Sequence, residues 1–302
     1  MIDKGFSILI PVFNFNVTFL VKELLKQSSA LALDFEILLI DDKSEKIFIE
    51  KNTNLVDFSD RIKISFLEEN IGRARIRNLL FEKANFESCI IMDCDVKIVS
   101  DTFLLDYFKN LDNNIVVGGH VYAKNPPKNS NKYFHWLYGS KVEVQGIKKR
   151  LKNPYESFMT NCFATTKTIF NTIKFNSNIA HYGHEDTLFG LTLKKSKFKI
   201  KHIINPVLHL GLDSESVFYR KQEEAIKNLA RIYSNELYKK DLENLKLIKF
   251  YNSPLKHTLG FIKFYSKFNP KDKSVLILCI YKNERKRLFY VKKKIEEACF
   301  FL

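Results

Sequence analysis

Four short apolar runs, each closed by polar or acidic residues and separated by stretches of helical spacing, set the limits on this fold. Residues 6–13 end at Asn14, Phe35 to Ile40 at Asp41-Asp42, and Cys89 to Met92 at Asp93-Cys94-Asp95, while Ile62 to Phe66 forms a fourth run between them. Runs this short and this uniformly apolar fit strands covered on both faces, and their alternation with helices specifies an α/β sheet, mostly parallel and Rossmann-like, flanked by helices. The first helix follows Asn16, a capping residue, with Val17, Leu20, Val21, Leu24 and Leu25 on one face. Further helices are expected over 71–84, 101–109, 165–173, from Glu185 onward, and 214–235. Further strands are expected over 114–117 and 157–164. In the helix at 71–84, Ile71, Ile76, Leu79 and Leu80 point broadly inward, with Arg73, Arg75 and Arg77 interleaved. Residues 124–156, rich in Lys, Asn and Pro, read as a long loop or lid over the sheet's C-terminal edge.

At 302 residues, 45% hydrophobic and 27% charged, the chain is long enough to bury a substantial core. Its formal net charge of +15 suits anionic partners. About half of that excess lies beyond residue 240, where 14 basic residues face 6 acidic ones. Two parts are therefore expected, a domain over 1–240 and a basic, aromatic, helical extension over 241–302. The five cysteines form no CxxC pair and suit a reducing compartment. The N-terminal run is cut by Pro11 and Asn14 with no cleavage pattern after it, and no stretch reaches 18 apolar residues. A cytoplasmic protein is expected, peripheral at most on the cytoplasmic face of the inner membrane.

The acidic strand ends carry the chemistry. Open α/β sheets bind ligands at the C-terminal ends of their strands. Asp93 and Asp95 there offer hard oxygen ligands to Mg²⁺ or Mn²⁺, or else cap the next turn. Asp41 and Asp42 can accept hydrogen bonds from a ribose or base, or form a solvated turn. Asp186, after Gly183, His184 and Glu185, is a candidate general base, although acidic residues also favour a first helical turn. His209 is either a metal ligand or a structural hydrogen-bonder. No GxGxxG follows the first strand and no GxxxxGK[ST] occurs, which argues against dinucleotide oxidoreductases and P-loop ATPases.

In order, SILIPVFN at 7–14, DDKS at 41–44, NIGRARIRN at 70–78, DCD at 93–95, NCF at 161–163, HED at 184–186 and HLG at 209–211 resemble the inverting nucleotide-sugar glycosyltransferases of family 2, whose fold is called GT-A. The resemblance covers residues 6–211. It implies a nucleoside pocket lined by Pro11, Phe13, Asp41 and Asp42, and a donor segment of Asn70, Gly72 and Arg75. Asp93, Cys94 and Asn161 also fall on the donor side. It makes Asp95 the direct ligand of Mn²⁺ or Mg²⁺, His209 a further metal or diphosphate contact, and Asp186 the catalytic base, with Glu185 beside it orienting acceptor or base. Cys162 and Trp136 fall on the acceptor side.

The implied substrates are a nucleotide-sugar donor, UDP-linked, and a glycan or lipid-linked saccharide acceptor in surface polysaccharide or lipooligosaccharide synthesis. Lys43 departs from the family's usual glycine. The aromatic stretch of processive synthases is not recognisable, so transfer of a single sugar is favoured. A dehalogenase-type phosphatase would place its Asp-x-Asp early in the fold, with Thr or Val where Lys97 stands. A basic nucleic-acid or membrane-surface binding protein without transferase activity is the alternative of a different class, but no nucleic-acid recognition module is recognisable and no nucleic-acid partner is expected. The segment from Arg285 to Ile295, basic with apolar residues interleaved, suggests contact with an anionic membrane surface.

Overall fold

The computed structural model describes residues 5–112, 114–177, 183–243, 245, 248 and 249. In chain order the elements are β1 (Gly5–Val12), α1 (Thr18–Ser29), β2 (Asp34–Asp41), α2 (Lys46–Thr53), β3 (Ile62–Phe66), α3 (Arg73–Lys83), β4 (Ser88–Met92), β5 (Val96–Ile98), α4 (Phe103–Lys109), β6 (Ile115–Val117) and β7 (His120–Val121). There follow α5 (Tyr133–Tyr138), α6 (Ile147–Lys152), β8 (Cys162–Thr166), α7 (Lys167–Ile173), α8 (Glu185–Lys195), β9 (Ile200–His202), β10 (Val207–His209), α9 (Glu215–Ser234) and α10 (Glu236–Leu242).

Seven strands form the main sheet in the order β3-β2-β1-β4-β8-β6-β9. All neighbours in it run parallel except β8, which is antiparallel to both β4 and β6. A second sheet, β5-β10-β7, sets β10 antiparallel to β5 and parallel to β7. The α/β class and the mostly parallel sheet are as the sequence predicts.

The unbroken apolar runs are explained by two cores, one on each face of the main sheet. Phe6, Ile8 and Ile10 of β1 pack with Phe35, Ile37 and Leu39 of β2 and with Leu20, Val21 and Leu24 of α1 on one side. Leu9, Leu38, Ile40 and Ile91 face the other side, where Ile76, Leu80 and Phe81 of α3, Phe170 of α7 and Phe189 of α8 cover them. The two-residue period of a strand divides each run between these cores. Pro11, with no N–H to give, sits beyond the last β1–β4 pair, Leu9 with Ile91, so the ladder loses nothing there.

Three expectations are corrected. Residues 124–156 are no long loop: they contain α5, a π-helical turn at Gly139–Glu143 and α6. The strand expected over 157–164 forms at Cys162–Thr166, with Thr166 capping α7 by accepting a hydrogen bond from Ile169 N at 3.2 Å. Asn16 acts one position earlier than a cap proper, its Oδ1 accepting from Thr18 N and Thr18 Oγ1 at 3.0 and 2.7 Å.

The chain divides into two compact units, Met1–Ala180 with Glu185–Asp213 and His181–His184 with Ser214–Leu302. In the second, α9 buries Phe218, Ala225, Leu229, Ile232 and Tyr233. Most of the extension expected over 241–302, including Arg285 to Ile295, lies outside the described residues. No helix among the described residues is long and apolar enough to cross a membrane.

Candidate active site

The C-terminal ends of β1, β2 and β4 carry interlocked polar loops. Asp41, fully buried at the end of β2, accepts a hydrogen bond from Ser44 N at 2.7 Å through Oδ1 and leaves Oδ2 without a partner among the described residues. Ser44 Oγ in turn accepts from Asn14 N at 2.7 Å, which ties the loop after β1 to the loop after β2. Asp42 clamps the start of α3: its two carboxylate oxygens accept from Ile71 N at 2.7 Å and Gly72 N at 3.0 Å, and Asn70 Nδ2 donates to its carbonyl at 2.9 Å. Burial raises the Asp42 carboxyl above its ordinary value, and these two N–H groups pull it back in part. Gly72 enters α3 with φ +82°, a conformation glycine reaches without steric cost. Lys43 holds φ +62°, in the same left-handed region, and this explains the glycine usual at that position in the family.

Past β4 the chain folds back so that carboxylates from different elements meet. Asp93 N donates to Asn161 O at 2.9 Å, extending the β4–β8 ladder. The antiparallel pairing of β5 with β10 sets His209 opposite Val96, leaving His209 Nδ1 3.8 Å from Asp95 Oδ1. Gly211 makes this approach possible, because a Cβ there would lie 1.9 Å from Asp95 Oδ2. Cys94 is hydrogen-bonded to the backbone of Phe13, whose half-exposed ring borders this corner, and burial pushes the Cys94 thiol up.

Arg77 joins the strand ends to α8. The side chain is 2% exposed, its Nη2 donates to Asp93 Oδ1 at 2.8 Å, and its Nη1 lies 3.9 Å from Glu185 Oε1. Arg73 reaches the same Glu185 oxygen at 3.6 Å. Asp186, next in the first turn of α8, accepts from Thr187 N at 2.7 Å. Burial, followed by the charge of Glu185, raises its carboxyl to about 6.

Not every residue implied by the resemblance lies here. Arg75 is exposed on α3, turned away from the face that buries Arg77, and the cations in contact with the carboxylates are Arg77 and, at Glu185, Arg73. Cys162 is fully buried beside Tyr107, with its thiol pushed up to about 12 by that burial, which removes its side chain from reach of an acceptor. Trp136 donates from Nε1 to Ala123 O at 2.7 Å. Its neighbour on α5, His135, has its ring 5.8 Å from that of His209. Arg77 was open to discovery from sequence, since Ala74, Arg77 and Phe81 recur at the spacing of one helical face, the one that is buried.

A carboxylate oxygen and an imidazole nitrogen this close are a donor pair suited to Mn²⁺ or Mg²⁺, and a metal bound to substrate phosphates takes few protein ligands. Among the described residues no group of three or more His, Cys, Asp or Glu is placed to hold an ion unaided.

The sequence profile of Glycosyl transferase family 2 matches residues 7–186. An uncharacterized glycosyltransferase of Haemophilus influenzae is 32% identical over 117 residues, 39% of this chain and 46% of that protein. A teichoic acid poly(glycerol phosphate) polymerase of Staphylococcus epidermidis is 26% identical over 181 residues, 57% of this chain and 23% of the polymerase. The chain thus spans less than half the length of the curated relatives it matches. A mannosyltransferase of Pyrobaculum calidifontis, solved with GDP-Man and Mn²⁺, shares the fold at a TM-score of 0.57 and 11% identity, over 96% of this chain and 86% of that one. The match from β1 to the first turn of α8 takes in both groups of carboxylates, and the chain belongs to glycosyl transferase family 2, with a GT-A-like fold.

Proposed function

We propose that the protein is a glycosyltransferase that moves one sugar from a nucleotide-sugar donor, UDP-linked, to a hydroxyl of a glycan or lipid-linked saccharide, with inversion at the anomeric carbon. The observation that carries the reading is the single buried guanidinium of Arg77 in contact with Asp93 at the end of β4 and Glu185 at the start of α8. The carboxylates at the end of β4 and the start of α8 thereby share one cation, which supports reading them as the donor and acceptor sides of one site. The teichoic acid relative and the GDP-Man complex of the Pyrobaculum enzyme support transfer onto a surface polymer from a nucleotide-linked donor.

In this reading Asp41, Asp42, Pro11 and Phe13 line the nucleoside pocket, with Asp41 and Asp42 shaping its loops through the backbone N–H groups they hold. Asn70 and Gly72 shape the loop that meets the base and diphosphate, and Asp93, Cys94 and Asn161 border the sugar. Asp95 and His209 are the residues that would hold Mn²⁺ or Mg²⁺, which when bound offsets the negative charge of a departing diphosphate. Asp186 takes the proton from the acceptor hydroxyl, and that oxygen bonds to the anomeric carbon as the bond to the diphosphate breaks. The electron pair leaves with the nucleoside diphosphate, and attack from the opposite face inverts the configuration. A carboxyl held near 6 is ionised at pH 7 yet more basic than an ordinary aspartate. Glu185, fixed by Arg73 and Arg77, orients the acceptor.

The test is release of nucleoside diphosphate from a panel of UDP-, GDP- and dTDP-sugars with Mn²⁺ or Mg²⁺. Release from one donor, abolished by EDTA and in Asp95→Ala, is the expected result. No release together with no nucleotide binding by calorimetry overturns the proposal.

A further inference from the structure

We infer that the rim formed by α6 and the C-terminal end of β9 docks on an anionic lipid bilayer. The surface is unusual in charge, since neither segment 144–155 nor segment 187–212 contains an acidic residue. Lys148, Lys149 and Lys152 on α6 and Lys201 on β9 are all exposed, and none has an ion pair among the described residues. Two large apolar side chains stand in water among them, Leu151 at 61% and Ile204 at 77% exposed.

These residues belong to one rigid corner. Arg150, buried beneath them, donates to Val117 O at 3.1 Å and to Ile203 O at 2.9 Å. His202 continues the clamp, with Nδ1 3.3 Å from Arg150 Nη1 and Nε2 3.0 Å from Pro154 O. Leu151 and Ile204 each adjoin a residue of this clamp, so their exposure is built in.

Exposed aliphatic side chains on two segments that carry lysines and no carboxylate match a bilayer interface, where apolar tips enter the acyl boundary and ammonium groups meet anionic headgroups. Protection of an edge strand from unwanted pairing accounts for a lysine on β9 but has no use for exposed Leu151 and Ile204. Nucleic acid would engage the lysines and gain nothing from the aliphatic pair.

The position is informative. β9 runs parallel to β6 and to β1, so its C-terminal end lies on the same sheet edge as the candidate site. It stands at the opposite extreme of the strand order from β3 and β2, on the side of β8, whose approach carries Asn161. A bilayer at this rim therefore meets the acceptor end, which rests on the proposed function, whereas the docking itself does not depend on catalysis.

The full chain is sedimented with vesicles of phosphatidylcholine alone and with about a third phosphatidylglycerol. Since each lysine at an anionic surface contributes roughly fivefold, replacing all three in Lys148→Glu, Lys149→Glu and Lys152→Glu is expected to lower binding to anionic vesicles by more than about tenfold. Leu151→Ser with Ile204→Ser is expected to lower it by about tenfold. A charge-matched variant on the other side of the sheet order, Lys46→Glu, Lys51→Glu and Lys83→Glu, retains most of the binding, and circular dichroism confirms that every variant folds. Unchanged partition of the α6 variants, or an equal loss in the charge-matched variant, overturns the inference. So does binding of a single-stranded oligonucleotide that these substitutions abolish when vesicles are not bound at all. Nucleoside diphosphate release from soluble donor is assayed separately, so failure of the docking and failure of the transferase reading are distinguishable.

Discussion

Arg77 carries its charge from a position that water hardly reaches, and two carboxylates depend on it. Removing one partner of a buried ion pair leaves the others uncompensated, so Arg77→Ala is expected to cost roughly 3–5 kcal/mol in urea unfolding. Arg77→Lys keeps the charge but not the planar fork that meets Asp93 and points at Glu185, so it is expected to retain most of the stability and lose activity at least about tenfold. Asp186 gives a second prediction. With its carboxyl raised to about 6, first by burial and then by Glu185, the rate should fall as pH drops through about 6 and level off above it. Glu185→Gln removes the second cause, so the acid limb of the pH profile should move to lower pH; an unmoved limb excludes Asp186 as the titrating base. The acidic residues were legible in the sequence because apolar runs stop abruptly at them. Arg77 was harder to see, because a charged residue on a helix is usually solvated and only its spacing from Ala74 and Phe81 gives it away.

The pairing of β5 with β10 does at the scale of elements what no single residue does, bringing His209 to Asp95 from 114 positions away. The hairpin-like approach depends on Gly211, where any side chain would collide with the Asp95 carboxylate. Gly211→Ala is therefore expected to leave the circular dichroism spectrum unchanged while weakening Mn²⁺ binding, read by calorimetry, at least about tenfold; displacement of one coordinating group commonly has effects of that order. Undiminished binding would remove Asp95 from the ligand set. Elements of this size were the least legible. β5, β9 and β10 have three residues each and β7 two, too short to display a period, whereas the eight residues of β1 and of β2 announce themselves. The six-residue helices α5 and α6 likewise show no amphipathic repeat. What holds them is side-chain bonding to distant carbonyls, Trp136 to Ala123 and Arg150 to Val117 and Ile203, which composition reads as loop.

For the molecule as a whole, the main sheet is pinned at the end opposite the site by one buried carboxylate. Glu36 accepts from Ser7 Oγ at 2.7 Å, Asn85 N at 2.6 Å, Asn85 Nδ2 at 2.7 Å and Lys63 Nζ at 3.0 Å, so β1, β2, β3 and the segment before β4 converge on it. The strand carrying Glu36 was legible, but its partners come from three other segments and no local pattern reveals them. Burial works to raise the Glu36 carboxyl, yet the bonds from Asn85, Ser7 and Lys63 outweigh it and hold the group below its ordinary value. A carboxyl lowered on folding contributes stability that is present above its unfolded value of 4.5 and is lost as pH falls through the folded one. Asp42 and Asp186, both raised, act with the opposite sign: their contribution is complete below 3.8 and disappears as pH rises through their folded values. The pH dependence of the wild-type protein alone therefore mixes opposing trends. Subtracting the curve of Glu36→Gln from it cancels Asp42 and Asp186, which both proteins share, and isolates the network. Since a hydrogen bond to a charged acceptor contributes about 1.5–3 kcal/mol, the variant should be less stable by about that amount at pH 7. The difference should shrink toward zero as pH falls below 4.5. A difference that stays constant down to acid pH would mean that Gln packs badly in the same space, and that the charge of Glu36 holds nothing together.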